Sequence, residues 1–239
     1  MLEALKKEVF EQNLKLVEYG LVVLTWGNVS AIDRESGLFV IKPSGVPYSE
    51  MTADDMVVMD LEGNKVEGKL NPSSDTPTHM ELYRNFKDIG GVVHTHSSWA
   101  CAWAQAGRDV PAYGTTHADF ANGAVPCTRG LTKEEVESAY ELNTGRVIVE
   151  EFAKRGISPK ACPAVLIHRH GPFTWGNNAK KAVEAVENAL ILEEICNMAY
   201  RTESVAALST DSNIGIEDYL LEKHYNRKHG KNAYYGQKL

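Results

Sequence analysis

The stretch "GGVVHTHSSWACAWAQAG", residues 90 to 107, constrains the fold more than any other part of the chain. An apolar, β-branched run gives way within a few residues to a segment of helical composition, so a strand must feed directly into a helix. Ser97 or Ser98 can cap a helix starting at Trp99, and Gly107 is placed to stop it. His94 and His96 stand at the changeover. On a strand, residues i and i+2 share a face about 6.6 Å apart along the chain, so the two imidazoles are expected side by side at a strand end, where α/β proteins commonly build sites. A lone His-x-His is explained equally well by two strand histidines bonded to backbone. A catalytic zinc site needs at least three protein ligands and one open position.

The same alternation runs through the rest of the chain. "MLEALKKEVFEQNLKLVEYG" has helical apolar spacing at Leu2, Leu5, Val9, Leu14 and Val17, and stops near Gly20. "LVVLTWGNVSAID" and "LFVIKPSGVPY" read as two strands, and "TADDMVVMDLEGNKVEG" as a hairpin with Gly63 and Asn64 in its turn. "PTHMELYRNF" reads as a helix. Residues 110 to 129 are expected to be mostly irregular, and "TKEE" from Thr132 is a capping box that opens the next helix. "AVLIHRHG" reads as a strand, residues 179 to about 206 as a long helix, and the C-terminal region as a helix followed by a basic, aromatic tail. No Pro- or Ser-rich linker interrupts this order. The expectation is one α/β domain over residues 1–239, its tail from about residue 217, with a mixed sheet layered between helices.

Charge and cysteines narrow the function classes. A formal net charge of -7 argues against a general affinity for nucleic acid or anionic membranes, so an anionic ligand needs a local cradle. Cys101, Cys127, Cys162 and Cys196 form no Cys-x-x-Cys pair, which points to reduced thiols and a cytoplasmic protein. No apolar run approaches the ~18 residues of a membrane span.

A second His-x-His, His168 and His170, lies in "LIHRHGPFTWG" and is expected on one strand face. Two such pairs among eight histidines are unusual for packing alone. Asp75 in "NPSSDTPTH" is the acidic residue of an otherwise small, polar segment, placed either to cap the helix after it or to join a metal site. Three loops, "TWGNVS", "IKPSGV" and "NPSSDT", offer backbone N–H groups and hydroxyls, and Lys42 adds a charge; together they can cradle a phosphate. None matches a Walker or Gly-x-Gly-x-x-Gly pattern.

"LTWGNVSAID", "IKPSGV", "PSSDTPTH", "GGVVHTHS", "GTTHAD", "HGPFTWG" and "EKHYNRKHGKNAYYG" together resemble, in the same order and over essentially the whole chain, the L-ribulose-5-phosphate 4-epimerase branch of the class II aldolase/AraD-like family. The resemblance implies an α/β fold of three layers, α/β/α, with a central mixed, mostly antiparallel sheet, and a homotetramer with active sites between subunits. It implies Zn2+, or another divalent ion, held by Asp75, His94, His96 and His170. Asp119 and Tyr235 match the acid/base pair. Gly27, Asn28, Lys42, Ser44, Gly45, Ser73 and Ser74 match substrate and phosphate contacts, and His224 and Arg227 match tail positions near the site. Related aldolases that cleave sugar 1-phosphates carry Glu at the acidic metal position, so Asp75 points to the epimerase branch.

The implied activity interconverts L-ribulose 5-phosphate and D-xylulose 5-phosphate. The hydrogen on carbon 4 is not acidic, so the C3–C4 bond is broken and re-formed on the opposite aldehyde face. That demands an anchored phosphate and two acid/base groups. Three other readings compete. A class II aldolase, or an epimerase for a related pentulose phosphate, shares the same motifs. A zinc set of His94, His96 and His117 would resemble β-rich carbonic anhydrases, and a closed four-ligand ion site would serve only to hold an oligomer.

Overall fold

The computed structural model describes residues 2–208 and 214–233. Its strands are β1 (Asn28–Asp33), β2 (Leu38–Ile41), β3 (Val57–Met59), β4 (Lys65–Glu67), β5 (Ile89–His94), β6 (Ala164–Leu166) and β7 (Pro172–Asn177). They form one sheet in the order β4-β3-β2-β1-β5-β7-β6, and every neighbouring pair is antiparallel. The expected mixed character reduces, among the described residues, to one parallel bridge between Cys127 and Leu166.

Helices α1 (Glu3–Glu18), α2 (Thr76–Asn85), α3 (Ser98–Ala106), α4 (Thr115–Ala118), α5 (Lys133–Arg155), α6 (Lys181–Ala206) and α7 (Asp218–His229) complete the fold. Side-chain alternation along the strands divides the interior into two cores. Val29 and Ala31 of β1 face Leu5, Val9 and Leu16 of α1 and Ala182, Ala185 and Val186 of α6. Ile32, Phe39 and Ile41 belong to the opposite core, with Leu82 and Tyr83 of α2 and Ile148 and Phe152 of α5. These are the three expected layers. The start of α6 lies so close to the sheet that a Cβ on Gly91 would collide with the Lys181 carbonyl carbon, and one on Gly176 with its oxygen.

Local signals explain some helix ends. Thr132 and Glu135 form the capping box of α5, and Gly107 ends α3 at φ 65°. Ser97 occupies the N-cap of α3 without a side-chain bond; Glu193 of α6 instead accepts the Trp99 and Ala100 N–H groups at 2.8 and 2.9 Å. Two expectations are corrected, while residues 110–129 are mostly irregular as expected, interrupted only by the short helix α4. Residues 21–27 are not strand, because β1 starts only at Asn28. The second His-x-His is not on a strand: β6 ends at Leu166, and Arg169, at φ 63°, lies in the turn between β6 and β7.

Candidate metal and anion site

Three neighbouring interior strands bring their ends together on one side of the sheet. His94, the last residue of β5, pairs with Asn28 at the start of β1 and with Phe173 near the start of β7. The His94 ring is 1% exposed, stacks on Phe173 with centroids 4.3 Å apart, and donates from Nδ1 to the Pro172 carbonyl at 2.9 Å. That bond puts the proton on Nδ1 and leaves Nε2 as a lone-pair donor. His96 lies just beyond the strand, its Nε2 3.1 Å from that of His94. The β6–β7 turn brings in His170, whose ring centroid is 4.7 Å from that of His94 and 5.1 Å from that of His96. The ligand atoms of all three lie within 4.8 Å of one another.

This arrangement fits a divalent ion. Tetrahedral Zn–N bonds of about 2.0–2.1 Å separate ligand nitrogens by about 3.4 Å, near the spacing seen between His94 and His96. Burial first, then the charge of neighbouring histidines, lowers the pKa of His96, and lowers that of His170 to about 3, which favours the neutral form a metal needs. Asp75 lines the same cavity, although its carboxylate is not one of the closely gathered ligand atoms. Burial acts to raise its pKa but is outweighed by His94, His79 and the Asn28 amide, which donates to Oδ2 at 2.6 Å.

The histidine cluster opens into a cavity of about 380 Å³, lined also by Gly27, Asn28, Lys42, Ser44, Gly45, Ser73 and Ser74. The expected phosphate loops therefore meet the expected metal residues. Backbone bonds hold the loops together: Ser73 N–H donates to Lys42 O at 2.9 Å and Ser44 N–H to Asn71 O at 2.9 Å. Tyr48 ties in the third loop, donating from its hydroxyl to Gly27 O at 2.8 Å. Gly27, at φ 102°, has no room for a side chain, because a Cβ would lie 3.0 Å from the His94 carbonyl. Lys42 is 2% exposed, donates to the Pro43 and Val46 carbonyls at 3.2 and 3.1 Å, and sits 4.8 Å above the Tyr48 ring. Burial brings its pKa down to about 8.

Asp119 lies elsewhere. At the C-terminal end of α4 it accepts from Arg227 Nε at 3.0 Å, and His224 Nδ1 stands 3.2 Å from the same oxygen. It lines a separate cavity of about 650 Å³ that shares no lining residue with the metal cavity. Tyr235 lies outside the described residues. His117 is buried, donates to Gly123 O at 2.8 Å and stays apart from the triad, which overturns the carbonic-anhydrase-like ligand set. His168 packs against Gly107, where a Cβ would stand 2.8 Å from its Nε2.

The profile described as class II aldolase and adducin N-terminal domain matches residues 7–200. The chain belongs to the class II aldolase and adducin family. Among solved structures it is similar to an L-fuculose 1-phosphate aldolase at 27% identity, with 94% of this chain and 95% of that one covered and a TM-score of 0.72. It also shares its fold with the YgbL protein of Klebsiella pneumoniae (22% identity, 93% and 99% covered, TM-score 0.70) and with L-fuculose-1-phosphate aldolase of Thermus thermophilus (23% identity, 87% and 99% covered, TM-score 0.67).

In this class II chain the triad of His94, His96 and His170 is consistent with the family's divalent-metal site. Two cavity residues carry no sequence signal. Tyr140 and Glu141 enter the cavity because α5 breaks at Ala139 (φ -157°, ψ 72°), and the Tyr140 hydroxyl lies 3.3 Å from His170 Nδ1. Neither Pro nor Gly marks that break.

Proposed function

We propose that this protein breaks and re-forms a carbon–carbon bond of a sugar phosphate with the help of a divalent metal, Zn2+ in the first instance. The observation that carries the reading is the single cavity joining the histidine triad to the polar loops around Lys42. A cation held by His94, His96 and His170, with Asp75 beside them, supplies Lewis-acid stabilisation for negative charge developing on the ketose oxygens. Lys42, Asn28, Ser44 and Ser74 hold the phosphate, which keeps the aldehyde fragment in place after C3–C4 cleavage. In a chain of net charge -7, that attraction has to be local.

The finer reading is the 4-epimerase interconverting L-ribulose 5-phosphate and D-xylulose 5-phosphate, supported by aspartate rather than glutamate at position 75. A second reading, a sugar 1-phosphate aldolase, is favoured by the 27% identity to L-fuculose 1-phosphate aldolase. In either, Asp119 and Tyr235 are proposed as acid/base groups, with His224 and Arg227 orienting Asp119. Asp119 lines a cavity distinct from that of the triad in its own chain, which supports a homotetramer in which it serves a neighbour's metal. We place the enzyme in the cytoplasm as one domain; no described helix is long and apolar enough to cross a membrane.

The deciding assay supplies each substrate to the metal-loaded protein. Conversion of L-ribulose 5-phosphate to D-xylulose 5-phosphate without released fragments supports the epimerase. Release of dihydroxyacetone phosphate from L-fuculose 1-phosphate supports the aldolase. Turnover of neither would overturn both.

A further inference from the structure

A line of buried polar side chains runs from the metal cavity into the core. His79 lies on α2, one turn after Asp75, and is 0% exposed. Its Nδ1 is 2.7 Å from Ser30 Oγ, and the same oxygen is 2.7 Å from the Tyr83 hydroxyl. Ser30 and Tyr83 are likewise fully buried. A buried polar network of this kind is costly unless every member is satisfied. Among the described residues, two buried side-chain atoms, His79 Nε2 and Asn28 Oδ1, have no hydrogen-bond partner. Both belong to neighbours of Asp75. Asn28 donates its amide to the Asp75 carboxylate, and burial keeps the His79 ring neutral, its pKa lowered to about 3 against the opposing pull of the Asp75 charge.

The order of donors fixes the tautomer. If Tyr83 donates to Ser30 and Ser30 donates to His79 Nδ1, each hydroxyl proton has an acceptor. Every arrangement with the ring proton on Nδ1 leaves one of the two buried hydroxyls without an acceptor, at the cost of desolvating it for nothing. The proton therefore sits on Nε2. One internal water accepting from that N–H and donating to Asn28 Oδ1 and to Asp75 would satisfy all three groups, and only this tautomer gives that balance.

We propose that His79 is a positioning residue for Asp75: the Tyr83 and Ser30 hydroxyls lock its proton on Nε2, and that buried N–H, acting through a water shared with Asn28 Oδ1, orients the Asp75 carboxylate for the metal. The proposal rests on the reading of Asp75 as part of the metal site. It assigns a use to a histidine that the bond-breaking chemistry does not need.

Two measurements test it. Neutron diffraction on the perdeuterated wild-type protein should place a deuteron on His79 Nε2 and none on Nδ1; a deuteron on Nδ1 overturns the proposal. Titration of the apo-protein with Co2+, followed by visible absorbance, tests the link to the metal. His79→Leu should weaken Co2+ about tenfold, as loss of a group supporting a ligand does. His79→Gln, which returns an N–H near the Nε2 position, should recover most of that loss, and neither change should matter when Asp75 is already Asn. Equal losses in both backgrounds, or no recovery with Gln, would reduce His79 to packing and overturn the proposal. Should His79→Leu fail to fold, Ser30→Ala removes the hydroxyl that fixes the tautomer and is read in the same two backgrounds. Wild-type protein that binds no Co2+ would overturn the metal reading itself, whereas the deuteron position judges the tautomer independently.

Discussion

Arg227 of α7 grips Asp119 at the end of α4 from the side, Nε donating to Oδ1 at 3.0 Å while Nη2 reaches Oδ2. Burial acts to raise the Asp119 pKa, but Arg227 and Lys228 outweigh it and keep the carboxylate ionised. The group is held and charged, in a cavity apart from its own chain's histidine triad.

If Asp119 acts on a neighbouring subunit, two inactive variants should complement each other. Mixing Asp119→Asn with His96→Asn under conditions that exchange subunits should restore part of the activity. Proven exchange without recovery would put the whole reaction within one chain.

Removing a triad member should cost metal and activity together. His96→Asn leaves two imidazoles, His94 and His170, with Asp75 beside them, one nitrogen ligand short of the proposed set. Elemental analysis should show well under one divalent ion per chain. Full occupancy would strike His96 from the ligand set.

Lys42→Met should raise KM for a phosphorylated substrate by about ten- to a hundredfold, the 1.5–3 kcal/mol of a charge-assisted bond, with metal content unchanged. An unaltered KM would remove Lys42 from the phosphate site.

The same lysine gives a pH signature. Its folded pKa of about 8 lies below the ordinary 10.5, so between those values the unfolded chain binds more protons. The penalty of burying the charge is full below pH 8 and fades as pH rises to 10.5. Stability of the unliganded wild type should therefore gain on that of Lys42→Met over this window, by up to ~3 kcal/mol, while affinity for phosphate falls as pH passes 8. Urea unfolding of both proteins at pH 7.5 and 9.5 reads the first effect, with parallel curves as the contrary result.

Gly91→Ala should destabilise the fold without touching the site. Its Cβ would run into the Lys181 carbonyl, backbone that has little freedom to yield. Overpacking of this kind costs about 1 to 3 kcal/mol, measurable as a lower melting temperature. A variant as stable as wild type would show that the first turn of α6 shifts freely.

Features set by neighbours in sequence could be read before the structure: the Thr132 capping box, the Gly107 stop and the β3–β4 hairpin all lie where their residues direct. The gathering of His94, His96 and His170 was legible through the family resemblance, since the His-x-His pattern by itself does not choose between His168 and His170. Long-range contacts could not be read. Glu193 reaches from another helix to cap α3 in place of Ser97, the Arg169 turn lifts the second histidine pair off the strand, and the Ala139 break delivers Tyr140 to the cavity. Each is decided by tertiary packing, which overrides local propensity.

The triad draws two imidazoles from the end of β5 and the third from the turn before β7, a strand that pairs directly with β5. A chain still emerging from the ribosome as far as residue 160 owns Asp75 and a His-x-His pair but not the third imidazole, His170. An ion held by all three imidazoles would be bound firmly only once the β5–β7 seam had closed, so the fraction of chain left apo in ample zinc would count the sheets that never zipped shut.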